Sequence, residues 1–246
     1  MVRVMRLTAV LVAACLTVGV VAQPSWKPPK LRDATLPLIP VQAVSAGEVF
    51  VEVAVTDAGL VGDLTTLRTT PPFTQAVLDV VRGWRFQPAE EAIPRVPGDP
   101  RSIVARPVQS KVVVACLFRA PTMNTPTVGD PPKTVKSAAE DVATPLSTVM
   151  PPYPPLALFD GTVLVQVTVD VNGKVVNATT VRSAAGFDQA ALTAARQWTF
   201  RPARVHGRPE ATFAYIVFAF RQPVTLPPTR RGLQGAAASW SADREP

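Results

Sequence analysis

RGWRFQPA (residues 82–89) and RQWTFRPA (196–203) are nearly the same phrase, written twice in one chain. The chain holds only four tryptophans, and two of them sit in these phrases. Extending the alignment backwards needs no gap. Residues 47–89 lie over 161–203 at a constant offset of 114, with 19 identities in 43 positions. The shared positions include Gly47/Gly161, Val49/Val163, Val51/Val165, Val53/Val167, Val55/Val169, Gly59/Gly173, Phe73/Phe187, Trp84/Trp198, Phe86/Phe200 and Pro88/Pro202. Past the phrase the offset falls to 102, so that ARPVQSKVVVACLFR (105–119) covers GRPEATFAYIVFAFR (207–221). The first copy thus carries 12 extra residues, in the proline- and charge-rich stretch 90–102, where a surface loop is expected. Self-similarity at a fixed offset reads as a tandem duplication.

Each copy has the same local grammar. Valines at 163, 165, 167 and 169 alternate with Leu164, Gln166 and Thr168, the period of a strand with one buried face. Asn172-Gly173 tolerates positive φ at both central positions, which predicts a tight hairpin; the first copy has Ala58-Gly59. Phe187, Ala191, Ala194/Ala195 and Trp198 then form one helical stripe, as do Phe73, Val77, Val80/Val81 and Trp84. The proline after each Trp-x-Phe stops the helix. A last apolar run, 111–119 or 213–221, reads as a third strand. The expected fold is α+β: two tandem β-β-α-β units, each a small antiparallel sheet with one helix packed on it. Trp84, Phe86 and Pro88, with Trp198, Phe200 and Pro202, are its structural signature. Each tryptophan ends an apolar stripe and pins a helix on a sheet.

The 246 residues suit one large or two small domains. Met1–Arg6 carries two arginines, Leu7–Ala22 is apolar and uncharged, and Val20-Val21-Ala22 precedes Gln23-Pro24. This is the form of a secretory signal peptide over 1–22. The apolar run falls short of the roughly 20 residues of a spanning helix; a short retained anchor is the alternative. Loss of Arg3 and Arg6 with such a leader takes the net charge from +7 to +5. The charges are scattered, which excludes the clustered basic face that nucleic acid needs. Cys15 would leave with the leader, so Cys116 could form no internal disulfide, and its run KVVVACLF marks it as a buried small side chain.

No catalytic constellation stands out. The single histidine, His206, lies in a Val205-His206-Gly207 loop. No zinc-ligand spacing, Cys/His nucleophile pair or glycine-rich phosphate loop is present. The expectation is a non-enzymatic protein without metal or cofactor.

The ordered set Tyr153-Pro154, Gly161-x-Val163-x-Val165-x-Val167-x-Val169, Asn172-Gly173-x-Val175, Phe187, Ala190 and Trp198-Thr199-Phe200-Arg201-Pro202 resembles the C-terminal domain of TonB, the periplasmic energy transducer of Gram-negative bacteria. The first copy resembles it more faintly, with Ile39-Pro40 in place of Tyr-Pro. The resemblance implies domains at 31–120, with a loop insertion at 90–102, and at 151–222. A proline-rich linker at 121–150 would separate them, and a disordered tail would follow at 223–246. It implies binding of an extended segment of an outer-membrane receptor, or of another envelope protein, by strand addition to a sheet edge. The implied binding residues are Tyr153, Pro154, Thr212, Phe213, Ala214, Tyr215, Ile216 and Val217. Homodimerisation through the same strand is an alternative use, as in a self-associating envelope scaffold. The family's anchor carries a serine and a histidine that engage a proton-driven motor; Leu7–Ala22 has neither. The reading is therefore an exported periplasmic binding module connected with outer-membrane transport. An inner-membrane energy transducer follows only if the leader is retained. The intact mass of the protein recovered from a Gram-negative host should correspond to a chain starting at Gln23 in the soluble periplasmic fraction. An intact Met1 chain in the inner membrane would reverse this.

Overall fold

A computed structural model describes residues 26–95, 102–121 and 133–223. The leader expected over 1–22, and the tail beyond Pro223, lie outside the described residues. Eight long elements organise the rest: β1 Gly47–Val55, β2 Val61–Thr69, α1 Phe73–Val81, β3 Ser110–Phe118, β4 Gly161–Val169, β5 Val175–Arg182, α2 Asp188–Ala195 and β6 Thr212–Phe220. The described residues are mostly β-sheet with two helices.

The local reasons are those read from the sequence, with one change at the hairpins. Asn172 is not in the left-handed region; Gly173 alone is, at φ +80°. Asp170 organises this turn by accepting from the Asn172 and Lys174 amides at 2.9 and 2.8 Å. Those amides, Lys174 first, hold the Asp170 carboxyl below the usual carboxylate range. The glycine is required twice over. A Cβ there would lie 1.9 Å from the Phe200 carbonyl oxygen, and one on Gly59 would lie 2.0 Å from that of Phe86.

The same contacts recur 114 residues on. Trp84 Nε1 donates to the Thr35 carbonyl at 2.9 Å, and Trp198 Nε1 to that of Val149 at 3.1 Å. Phe73 stacks on Phe118, and Phe187 packs on Phe220, with centroids 4.3 and 4.8 Å apart. Short strands Lys30–Asp33 and Thr144–Ser147 pair with Arg85–Gln87 and Thr199–Arg201 in matching registers.

The assembly of the halves differs from the expectation of two small sheets. There is one seven-stranded sheet, in the order β5-β4-β6-β3-β1-β2 and then Lys133–Thr134. All neighbours are antiparallel except the central pair. There β6 and β3 run parallel, with Tyr215–Ala219 opposite Val114–Phe118. Strand alternation then sorts the core into two faces. Val113, Ala115 and Leu117 of β3 join Ile216 and Phe218 of β6 under α2. Val112, Val114, Cys116 and Phe118 join Tyr215 and Val217 under α1. The helices therefore lie on opposite faces, and β3 and β6 are apolar at nearly every position because both of their faces are buried.

Each helix leaves the other half of its face to be covered from elsewhere. Residues 138–143, expected to be linker, pack Ala138, Val142 and Ala143 into the α2-side core. Glu52, only 6% exposed, fastens this segment: it accepts from the Ala139 amide at 2.8 Å and pairs with Lys111 at 3.0 Å. On the other face, Leu31 and Ala34 cover the C-terminal half, and the Leu31 amide donates to the Tyr215 hydroxyl at 2.7 Å. The insertion at 90–102, expected to be loop, begins as strand: Ala89–Pro94 pairs with Ile103–Val108, and Trp26–Lys27 adds outside it. Residues 90–94 continue a ladder already begun at Ala89, so their polar backbone groups face a paired strand.

Tyr215→Phe removes the acceptor for the buried Leu31 N–H. It should lower unfolding free energy by about 1–3 kcal/mol in urea melts, although its ring still fills the same volume. An unchanged midpoint would show that this contact between the halves carries no weight.

Candidate functional site

The residues expected to form a binding edge occupy different environments. Thr212–Val217 belong to β6, and β6 is an interior strand. It is hydrogen-bonded to β4 along its length and to β3 over Tyr215–Ala219. Ala214, Tyr215, Ile216 and Val217 are fully buried, Thr212 nearly so, and Phe213 is partly buried. The expected exposed edge is thus corrected to the centre of the sheet. The equivalent strand of the first copy fills the place where an incoming strand would pair. A sequence signal for this exists: VVVACLF and AYIVFAF are continuous apolar runs, whereas a half-exposed edge alternates.

Tyr153 and Pro154 lie elsewhere, over α2. The Tyr153 ring meets Phe187 edge-on with centroids 5.6 Å apart. Its hydroxyl donates to the carbonyls of Phe159 at 2.8 Å and Ala157 at 3.2 Å. With Pro154, Pro155, Gln189, Ala190 and Gln197 it lines a largely apolar groove of about 410 Å3. The structure therefore separates Tyr153-Pro154 from the strand with which they were grouped. The segment is also tied to the other half, because Arg119 Nη1 donates to the Pro151 carbonyl at 2.9 Å. Arg221 Nη1 donates in the opposite sense to the Ala43 carbonyl.

What sequence reasoning missed is β5. Among the described residues no strand lies on its outer side. It pairs with β4 through two irregularities, which leave Val176 and Val181 out of the register; they are 63% and 37% exposed. The other end of the sheet is not bare, since Lys133–Thr134 pairs there with Arg68 and Thr69. At β5, Arg182 closes one end by bonding Asp33 and the Ala34 carbonyl on the α1 face. Edge status is a tertiary property: VVNATTVR contains nothing that says which neighbours will be present.

The ionisable groups offer structural chemistry. The hydrogen bond to Glu52 raises Lys111 above the ordinary lysine value against the opposing effect of its own burial. His206 sits at φ +51° with its ring nitrogen 3.5 Å from Glu91, and it is largely exposed. No group of three metal-capable side chains occurs among the described residues. No described helix is long and apolar enough to cross a membrane.

Comparison with known proteins bears on the C-terminal half. The family model for the Gram-negative bacterial TonB protein C-terminal matches residues 150–221. That span contains the Tyr153 segment, β4, β5, α2 and β6, and the match marks it as a TonB-like module. It does not extend into the N-terminal half. No curated protein and no solved structure matches the chain.

Burial pushes the Cys116 thiol far above its ordinary range, so it should resist alkylation by iodoacetamide at pH 8 until the protein unfolds. Peptide mapping before and after urea treatment checks this. Modification of Cys116 in the native protein would show that β3 opens readily from β6.

Proposed function

We propose that this protein is an exported, non-enzymatic TonB-like binding module of the bacterial envelope, acting in the periplasm in connection with outer-membrane transport. The chain is a tandem pair of related units, the second closer to the family pattern. Its task is to take up an extended segment of an outer-membrane receptor or another envelope protein. The family match over 150–221 supports the module, and the repeated contacts of the two halves support the pairing.

The observation that carries the binding mode is the outer edge of β5, which no strand covers among the described residues. Strand addition needs an unpaired row of backbone N–H and C=O groups, and side chains serve only to tune specificity. The strand expected to supply that row, β6, is already paired on both sides. Docking therefore moves two strands outwards, to Val175–Arg182, with Val176 and Val181 as apolar contacts. The exchange of β3 and β6 favours a second reading as an envelope scaffold, in which the bare edge pairs with a second copy of the chain.

Synthetic N-terminal segments of outer-membrane receptors, titrated into labelled protein, should shift the amides of Val175–Arg182. Val181→Lys places a charge on the edge without touching the core and should weaken binding about tenfold or more. Equal affinity for the variant, or shifts confined to β6, would count against this site. Concentration-dependent sedimentation abolished by the same substitution would favour the scaffold.

A further inference from the structure

Strand register brings four strand ends together. Gly47 of β1 lies opposite Phe118 of β3, Gly161 of β4 lies opposite Phe220 of β6, and the parallel pairing sets Ala219 beside Phe118. The segments that lead into β1 and β4 therefore reach the same end of the sheet. They do so over opposite faces. Leu36, Ile39 and Ala43 pack on the α1-side core, and Val149, Tyr153 and Ala157 on the α2-side core. Each segment turns its other apolar side chains outwards. Leu38 and Val41 are 85% and 93% exposed, and Leu156 and Phe159 are 92% and 74% exposed. Val44 and Leu158 are equivalent positions, each three residues before the glycine that opens β1 or β4, and both are exposed.

Single exposed hydrophobic residues are ordinary, but here six gather in two short turns, and the turns hold them out. In the first, the Ala43 amide donates to the Pro40 carbonyl at 2.9 Å, and Arg221 fastens the Ala43 carbonyl. In the second, the Ala157 amide donates to the Pro154 carbonyl at 3.1 Å, and the Tyr153 hydroxyl binds the carbonyls of Ala157 and Phe159. Asp160 Oδ1 then accepts from the Gln222 amide at 2.7 Å. With Pro37, Pro40, Pro152, Pro154 and Pro155 restricting the backbone, both turns are ordered before any partner arrives. A partner has to touch turns that lie over both faces of one sheet, beyond its strand ends. A peptide in a groove or along an edge reaches one face, whereas a flat apolar layer reaches both. Arg119 and Arg221 follow the two central strands at this end, and the chain is basic, at +7, which draws it to an anionic layer.

We propose that this end of the protein is a lipid-binding surface, whose two turns insert Leu38, Val41, Leu156, Leu158 and Phe159 into an anionic bilayer with Arg119 and Arg221 at the level of the headgroups. Apolar side chains buried at the interface, together with attraction to anionic lipid, supply the binding energy of proteins that lie on a membrane without crossing it. The strands then stand steeply to the bilayer, and the outer strands β2 and β5 face water. The surface is independent of any docking at β5.

The test is flotation of the purified protein with vesicles of phosphatidylglycerol and phosphatidylethanolamine, against vesicles of phosphatidylcholine alone. The protein should partition onto the anionic vesicles about tenfold more strongly. Leu156→Ser with Phe159→Ser should lower that partition coefficient by about tenfold, and Leu38→Ser with Val41→Ser by a similar factor. Combined, the two reductions should multiply, because one surface engages both turns. All four side chains are exposed, so urea midpoints should not move. Absence of flotation overturns the proposal. So does flotation that salt abolishes and the serine variants leave unchanged, which would assign binding to charge alone. An effect confined to one pair overturns the joint engagement of the two turns. Self-association in vesicle-free solution that the serine variants abolish, without flotation of the unaltered protein, would assign this end to a second copy and overturn the lipid surface.

Discussion

The parallel pairing of β3 with β6 is the constraint from which the rest of the architecture follows. Each is the last strand of its half, and each lies antiparallel to the first strand of its own half. Joining two equivalent strands in parallel relates the halves by a rotation about the strand direction, which exchanges the faces of the sheet. Helices α1 and α2 must then lie on opposite sides. Joined antiparallel, both helices would share one face and leave the other exposed. The observed arrangement gives every central strand two covered faces and brings Trp84 across the junction. Trp84 lies edge-on to Tyr215 of β6, with centroids 6.4 Å apart.

A second consequence is that neither half has a complete core alone. One helix covers one face of a half-sheet. The opposite face is covered by the leading segment of the other half, through Leu31 and Ala34 on one side and Ala138, Val142 and Ala143 on the other. The arginines that end β3 and β6 reinforce the exchange by reaching the carbonyls of Pro151 and Ala43. Burial of these small apolar patches is worth roughly 25 cal/mol per Å2 of apolar surface, and it is obtained only when both halves are present. The segment between the halves is consequently part of the core from residue 138 onwards, despite its proline-rich composition.

The third consequence concerns binding. The last strand of each half has the last strand of the other half as its partner. Satisfying both strands internally removes two edges at once and leaves the outer strands, β2 and β5, as the ends of the sheet. The chain covers one with Lys133–Thr134. The strand that the family resemblance indicates is thereby paired on both sides.

The sequence by itself determined a good deal: the period-two valines, the helical stripes ending in Trp84 and Trp198, the glycines at 59 and 173, and the offset of 114 that makes the halves alike. These are local properties, set by side-chain period, by turn stereochemistry and by which residues must be buried somewhere. Even the double burial of β3 and β6 was written in KVVVACLF and AYIVFAF as unbroken apolar runs, although such runs state that both faces are covered without saying by what. Only the tertiary structure decided the partner of each strand: that β6 lies against β3, that Tyr153 belongs to a groove over α2 and not to the strand of Tyr215, and that β5 is the end of the sheet among the described residues. The physical reason is that an edge is defined by an absent neighbour. Backbone hydrogen-bonding groups are the same in every residue but proline, so nothing in a strand's own residues records which of its two sides will be filled.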